Sequence, residues 1–255
     1  MMRGVRETYY IYVRNLKVWL AQPMNLIGTV LSSAFVFLFF GAPLEGVTRL
    51  PGFPTGDYNA YLTGMVVVMT VVFSGSDAAM AMLTDILSGY FDKLLLAPIN
   101  RFSILLGSLL MAGTRALVQV GIIVLLAVVL GVSFKGGIVG AVAVIAMAVV
   151  FGIACSSLGL MIALRTKSAQ VTQNTWLLFM PLAFLTTAFM PRELLSGWFK
   201  IAVMLNPVNY VMEGMRAIII RGWEWGSILP GVWAVVAMTL LLTGMASWLY
   251  RRATV

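Results

Sequence analysis

The sequence predicts an all-α integral membrane protein: six transmembrane helices, an N-terminal amphipathic interfacial helix, a short cytosolic helix and outer re-entrant helices. Three observations carry this. The 255 residues are 61% hydrophobic and 10% charged, far too apolar for a soluble domain of that length. The apolar residues gather into runs near the ~20 residues that a spanning helix needs. These runs are continuously apolar, whereas strands of a lipid-facing barrel alternate apolar and polar positions.

Residues 3–20 read as the interfacial helix, within a 1–22 segment. Val5, Tyr9, Val13, Leu16 and Leu20 recur at helical spacing, and Arg3, Glu7, Arg14 and Lys17 occupy the other face. Such a helix lies along the inner membrane surface, its basic residues near anionic headgroups. The first span runs from Met24 to Phe40; it follows a basic segment without a small-residue cleavage site, so it is expected to be retained. The connection 41–58 is rich in glycine and proline and reads as an outer loop without regular structure.

The second span covers Ala60 to Met82. Between it and the third lies a charged, amphipathic insert, GYFDKLLLAPINR (89–101), inside an 84–101 region. Tyr90, Phe91, Leu94 and Leu95 are available for one face, Asp92 and Lys93 for the other, and Pro98 stops it. The third and fourth spans are Ile104 to Val132 and Ile138 to Leu164. Small residues Gly152, Ala154, Cys155, Ser156, Ser157 and Gly159 suit close helix packing in the fourth. The fifth span, Val171 to Met190, starts polar, and Pro181 is expected to loosen its backbone halfway. In segment 191–226, two apolar pieces too short to cross, interrupted by Asn206, Pro207, Asn209, Glu213 and Arg216, read as helices dipping in from the outer face. The sixth span is Ile228 to Tyr250. One domain, 1–255, without internal repeats accounts for the chain.

Charge sets the orientation. With six crossings both termini share a side, which collects Arg3, Arg6, Arg14, Lys17, Lys93, Arg101, Arg165, Lys167, Arg251 and Arg252. That side is cytosolic, in a cell inner (plasma) membrane. Trp19, Trp176 and Trp248 are expected at the inner interface, and Trp198, Trp223, Trp225 and Trp233 at the outer one. The net charge of +8 thus reads as topology, and no basic, aromatic-interleaved face exists to hold nucleic acid.

Histidine is absent and there is one cysteine, which removes imidazole relays, His-ligated metal sites, Ser-His or Cys-His catalysis and intrachain disulfides. No Gly-Lys dipeptide exists to build a phosphate-binding loop, and Thr166-Lys167-Ser168 lacks the preceding glycines. The chain is therefore not expected to be an enzyme or to bind a cofactor itself. Two charges fall inside spans, Asp77 and Arg115. Charges in hydrocarbon face the bundle interior, so these residues form either a buried ion pair or a polar lining. Glu213 and Arg216, three apart, are placed to pair locally. Phe35, Phe37, Phe39 and Phe40 offer aromatic surface to lipid or to an apolar cargo.

The patterns TDILSGYFDKLLLAPINR (84–101), FMPRELL (189–195) and LNPVNYVMEGMR (205–216), in this order along essentially the whole chain, resemble the ABC-2 (type V exporter) family of transporter permeases, and within it the daunorubicin-resistance type of exporter subunit. The resemblance implies that the insert is a coupling helix docking on a separate ATP-binding subunit. That role falls to Gly89, Tyr90, Phe91, Asp92, Lys93 and Leu94, bordered by Asp85 and Pro98. It further implies a second permease copy as homodimer or related heterodimer, ATP and Mg on the partner subunit, and an outer gate around Asn206, Pro207, Glu213 and Arg216. Gln173 and Asn174 become pathway candidates near the dimer interface. The implied cargo is an amphipathic drug-like or lipid-like compound, with a polysaccharide or lipo-oligosaccharide as the alternative. A motor-independent secondary transporter would instead display inverted repeats or midplane acids, at which only Asp77 hints. A non-transporting membrane scaffold is the remaining alternative.

Overall fold

The computed structural model describes residues 2–253 apart from 23, 25, 26, 29, 30, 32, 33, 36, 50–52 and 98, and among these it contains helices and no strand. The elements that matter are α1 (Met2–Leu20), α2 (Tyr58–Leu87), α3 (Tyr90–Leu96), α4 (Arg101–Val129), α5 (Gly137–Thr166), α6 (Ala169–Gln173), α7 (Trp176–Phe184), α8 (Gly197–Leu205), α9 (Pro207–Ile220) and α10 (Trp225–Ala253). Among the described residues, four helices are long and apolar enough to cross a membrane: α2, α4, α5 and the Trp225–Tyr250 part of α10.

Within the expected first span, residues 25, 26, 29, 30, 32, 33 and 36 lie outside the described residues. Its end, Phe37–Gly41, is a π-helical turn, and Ala42–Leu44 and Glu45–Arg49 form further short helical turns, where an irregular loop was expected. The expected fifth span is not one helix. It consists of α6, a turn at Asn174 and Thr175, α7, and a non-helical stretch from Leu185 to Met190. The first break lies before Pro181, which sits inside α7. At that break the Thr175 hydroxyl donates to Thr172 O at 2.7 Å, a local bond that competes with the helical ladder.

Caps explain the clean starts. Asp57 accepts from the Asn59 and Ala60 amides, Asn100 from Phe102, and Asn206 from Val208 with Pro207 in the first turn of α9, each satisfying an orphan donor. Gly89, at φ 70°, makes the turn from α2 into α3, a backbone state that a side chain would strain.

α2 is central. Its first half is buried nearly all round, from Tyr58 to Val72, as expected of a helix enclosed by others. It crosses α5 so closely that a Cβ on Gly159 would stand 2.7 Å from Gly75 O, and one on Gly75 would stand 3.0 Å from the Cys155 carbonyl carbon. The small-residue stripe thus does what it suggested. Lipid tails give helices no hydrophobic reason to associate, so close packing and bonds such as Ser157 to Thr243 (3.1 Å) join α5 to its neighbours.

Buried apolar side chains form two clusters. The larger joins α2, α5 and α9 through Tyr61, Phe151, Met212, Met215 and Ile218. The smaller, at the end that carries α1 and α3, joins Ile11, Leu83, Phe91, Leu105, Leu160 and Tyr250. At the opposite end the Lys135 and Gly136 amides donate to Ile219 O and Ile218 O, giving the last carbonyls of α9 partners.

Trp198, Trp223, Trp225, Trp233 and Trp248 are exposed, as interfacial belts require, but Trp19 is only 6% exposed and belongs to the interior. On α1, the expected apolar face is indeed partly free, with Val5, Tyr9 and Leu20 exposed. A second stripe, Thr8, Ile11 and Trp19, is buried, and a Cβ on Gly107 of α4 would meet Ile11 at 2.7 Å.

Candidate functional site

At the α1 end, α3 projects as a seven-residue helix. Phe91 is buried and meets the Tyr250 ring edge-on, with centroids 6.0 Å apart, and the Tyr90 ring lies 4.2 Å from the Arg14 guanidinium. Leu94 and Leu95 are half-buried, while Asp92, Lys93 and Leu96 are exposed, Leu96 by 87%. The two faces predicted for this insert are thus the two faces observed. Pro98 lies outside the described residues.

Asp85 does not share that free face. It forms a two-pronged ion pair with Arg14, at 2.5 and 2.6 Å, and the carboxylate holds the Arg14 guanidinium above its ordinary pKa through this hydrogen bond. Arg14 and Glu7, expected on a solvated face, instead bind protein: Glu7 accepts from the Asn100 amide (2.9 Å) and the Ser103 hydroxyl (3.3 Å). α3 is consequently fastened to α10 by an aromatic contact and to α1 by a cation, and α1 is fastened to α2 and α4.

Between α1, α2 and α4 lies a cavity of about 310 Å³ that both intramembrane charges line. Asp77 and Arg115 form no ion pair or hydrogen bond with each other, and Asp77 is exposed while Arg115 is buried. The two charges act on each other across the cavity without touching. Asp77 is ten residues from the end of α2, about 15 Å, and Arg115 fourteen residues from the start of α4, about 21 Å, at 1.5 Å per residue.

The opposite end holds a polar cluster around the non-helical stretch after α7. The Asn206 amide donates to Leu182 O and to Leu185 O (2.7 Å) while its oxygen caps α9. Asn209 Oδ1 accepts from the Thr187 amide and hydroxyl, and Tyr61 and Tyr58 hydroxyls donate to Thr187 O and Phe189 O. Arg216 donates to Tyr61 O, Thr187 Oγ1 and Ala188 O and lies 3.7 Å over the Tyr61 ring. Glu213 Oε1 lies 3.1 Å from the same Thr187 hydroxyl and shares its single proton with Asn209 Oδ1. The expected local Glu213–Arg216 pair is replaced by convergence of both on Thr187. Non-helical backbone at membrane depth is tolerated where protein satisfies it, and these side chains supply that. Tyr61, Thr187, Glu213 and Arg216 also line a cavity of about 240 Å³ together with Arg192 and Arg221.

Tyr58, Tyr61, Thr187 and, as a bonding partner, Asn209 were not singled out from sequence; the Thr-Thr pair within an apolar run and Tyr58 and Tyr61 one helical turn apart were the available signals. Gln173 and Asn174 are exposed at the α6–α7 break, away from both clusters. Of the phenylalanines, Phe37 is buried and Phe40 packs on Phe189, whereas Phe35 and Phe39 stack on each other in the open.

Comparison with known proteins agrees with this architecture. The ABC-2 type transporter family matches residues 6–220. The daunorubicin resistance ABC transporter permease protein DrrB1 of Streptomyces coeruleorubidus is 28% identical over 234 residues, covering 87% of this chain and 78% of that one. A protein named as a transport permease, ycf38, of Cyanophora paradoxa is 27% identical over 215 residues (82% and 73%). A Mycobacterium tuberculosis protein named as a doxorubicin resistance ABC transporter permease, DrrC, is 22% identical over 218 residues (86% and 78%). With long apolar helices, a protruding short helix and a family match spanning most of its length, the chain belongs to the ABC-2 type transporter family, as a membrane permease subunit.

Proposed function

We propose that the chain is the translocating subunit of an ATP-driven exporter and that α3 receives the stroke of a separate ATP-binding subunit. Two permease copies form the path, in the inner membrane with both termini cytosolic. ATP and Mg belong to the partner. The cargo is an amphipathic drug-like or lipid-like compound, in keeping with the names of two relatives.

One observation carries this reading: α3 exposes Asp92, Lys93 and Leu96 while Phe91 and Tyr90 are clamped to α10 and Arg14. A helix that merely lay on a bilayer would present its aromatic residues to lipid. Here they point force inward. A push on the free face reaches α10 through Tyr250, and reaches α1 and α2 through Arg14 and Asp85. At the far end the Thr187 cluster would act as the outer gate, with Asn206 and Pro207 fixing α9 and Glu213 and Arg216 meeting at one hydroxyl. Gln173 and Asn174, unclaimed by either cluster, face the second copy or the path.

Co-reconstitution of the chain with its ATP-binding subunit tests this. Transport of an anthracycline into inside-out vesicles should require both chains and ATP, and Asp92→Lys with Lys93→Asp should abolish it without loss of the permease from the membrane. Movement of cargo by the permease alone would refute the proposal. Arg216→Glu should reduce export more than copurification of the two chains; equal loss of both would contradict the gate.

A further inference from the structure

We propose that the cavity between α1, α2 and α4 is a binding site for the headgroup of a zwitterionic phospholipid, its phosphate on Arg115 and Trp19 and its ammonium on Asp77. The proposal goes beyond the transport reading, because it concerns a lipid held by the permease whether or not that lipid is cargo.

The argument begins with donors that lack acceptors. Arg115 and Trp19 are each 6% exposed and both line the cavity. Arg115 Nε and Nη1 and Trp19 Nε1 are buried without a hydrogen-bond partner among the described residues. Buried polar groups are almost always paired; Asp77 answers the Arg115 charge across the cavity but supplies no acceptor to these N–H groups, and such donors left bare in low dielectric are costly. Guanidinium and indole donate only. The occupant must therefore bring acceptor oxygens, which neither an apolar tail nor a cationic amine offers. A phosphate matches the planar fork of an arginine.

The second half of the site is the carboxylate. Asp77 is exposed on the same cavity and makes no hydrogen bond or ion pair among the described residues, its charge meeting that of Arg115 only across the cavity. The nearby Asp85 is already matched by Arg14. Asp77 lies about 6 Å nearer the α1 end than Arg115, by residue rise along the two helices. A phospholipid presents its charges in that order: phosphate deeper, ammonium closer to water. The lining includes apolar groups, Val18 and Met111 among them, and Val18 is 45% exposed, an apolar border against which acyl chains can lie. An ammonium with N–H groups can donate to Asp77, so phosphatidylethanolamine fits better than phosphatidylcholine, and phosphatidylglycerol lacks the cation altogether.

Native mass spectrometry of the purified full chain in non-ionic detergent, titrated with phosphatidylethanolamine, phosphatidylglycerol or inorganic phosphate, tests the site without any ATPase subunit, so its outcome is independent of the transport reading. The wild type should hold one phosphatidylethanolamine per chain in preference to phosphatidylglycerol. Arg115→Gln should weaken that binding by at least about tenfold, the order expected for loss of a charged hydrogen bond. Arg115→Lys should restore part of it. Asp77→Asn should erase the preference over phosphatidylglycerol. Trp19→Phe, which keeps the ring and removes the donor, should weaken binding a few-fold and serves if Arg115 variants misfold. Equal binding in wild type, Trp19→Phe and Asp77→Asn would overturn the proposal by placing the lipid elsewhere on the protein. Inorganic phosphate that binds as tightly as the lipid would overturn the lipid assignment.

Discussion

Replacing Asp85 with asparagine and Arg14 with glutamine, singly and together, opens the contact that joins α1 to α2. The pair is two-pronged, at 2.5 and 2.6 Å, and its side chains are 35% (Arg14) and 16% (Asp85) exposed. Exposed pairs contribute about 0.2–1 kcal/mol, and breaking a buried one costs about 3–5 kcal/mol. Partial burial with ideal geometry places this coupling between them, at about 1–2 kcal/mol. Asp85→Asn leaves Arg14 over the Tyr90 ring, a contact of about 0.5–1 kcal/mol, so it should be the milder single change. Unfolding of the four proteins in nanodiscs of one lipid composition measures the cycle. The double variant should lose less than the two singles summed, by that coupling energy. Additive losses would refute the claim that the pair fastens α1 to α2.

Gly159→Ala should destabilise the bundle by about 1–3 kcal/mol, the usual range for overpacking, because its Cβ would sit 2.7 Å from Gly75 O and 2.9 Å from Ala79 Cβ; an unchanged melting temperature would place the α2–α5 crossing wrongly. Asn206→Ala removes a cap and two carbonyl partners at a 4% exposed site, about 2–4 kcal/mol together. Asn206→Asp keeps the capping oxygen but cannot donate, so thermal unfolding should find it nearly as harmful, and wild-type stability would show that the carbonyl contacts contribute nothing.

The legible parts of this protein are those whose cause is local. α2, α4, α5 and α10 follow from apolar run length alone. α9 follows from Asn206-Pro207, a cap and a first-turn proline. The faces of α3 follow from spacing. What sequence missed depends on distant partners. Arg14 reads as solvent-facing until Asp85, 71 residues away, is folded against it. Trp19 reads as an interfacial anchor, but the fold leaves it only 6% exposed. The fifth span reads as one helix with a proline kink, because nothing near it shows that Tyr58, Tyr61, Asn206 and Asn209 will satisfy the backbone bared by its breaks. Asp77 and Arg115 read from sequence as either an ion pair or a polar lining; in the fold they line one cavity and act on each other through it without direct contact.

The central claim, that α3 is where a separate ATP-binding subunit pushes, is tested most directly by a site-specific crosslink. Cys155, the only cysteine, is fully buried, so an introduced surface thiol can be addressed with the native cysteine in place. Leu96→Cys at the tip of α3, 87% exposed, and Ile138→Cys at the opposite end, 86% exposed, form the matched pair. With a short thiol-to-amine crosslinker and the ATP-binding subunit present, Leu96→Cys should join the two chains, in a yield that changes when ATP is added, and Ile138→Cys should not. A crosslink from Ile138→Cys with none from Leu96→Cys would contradict the account.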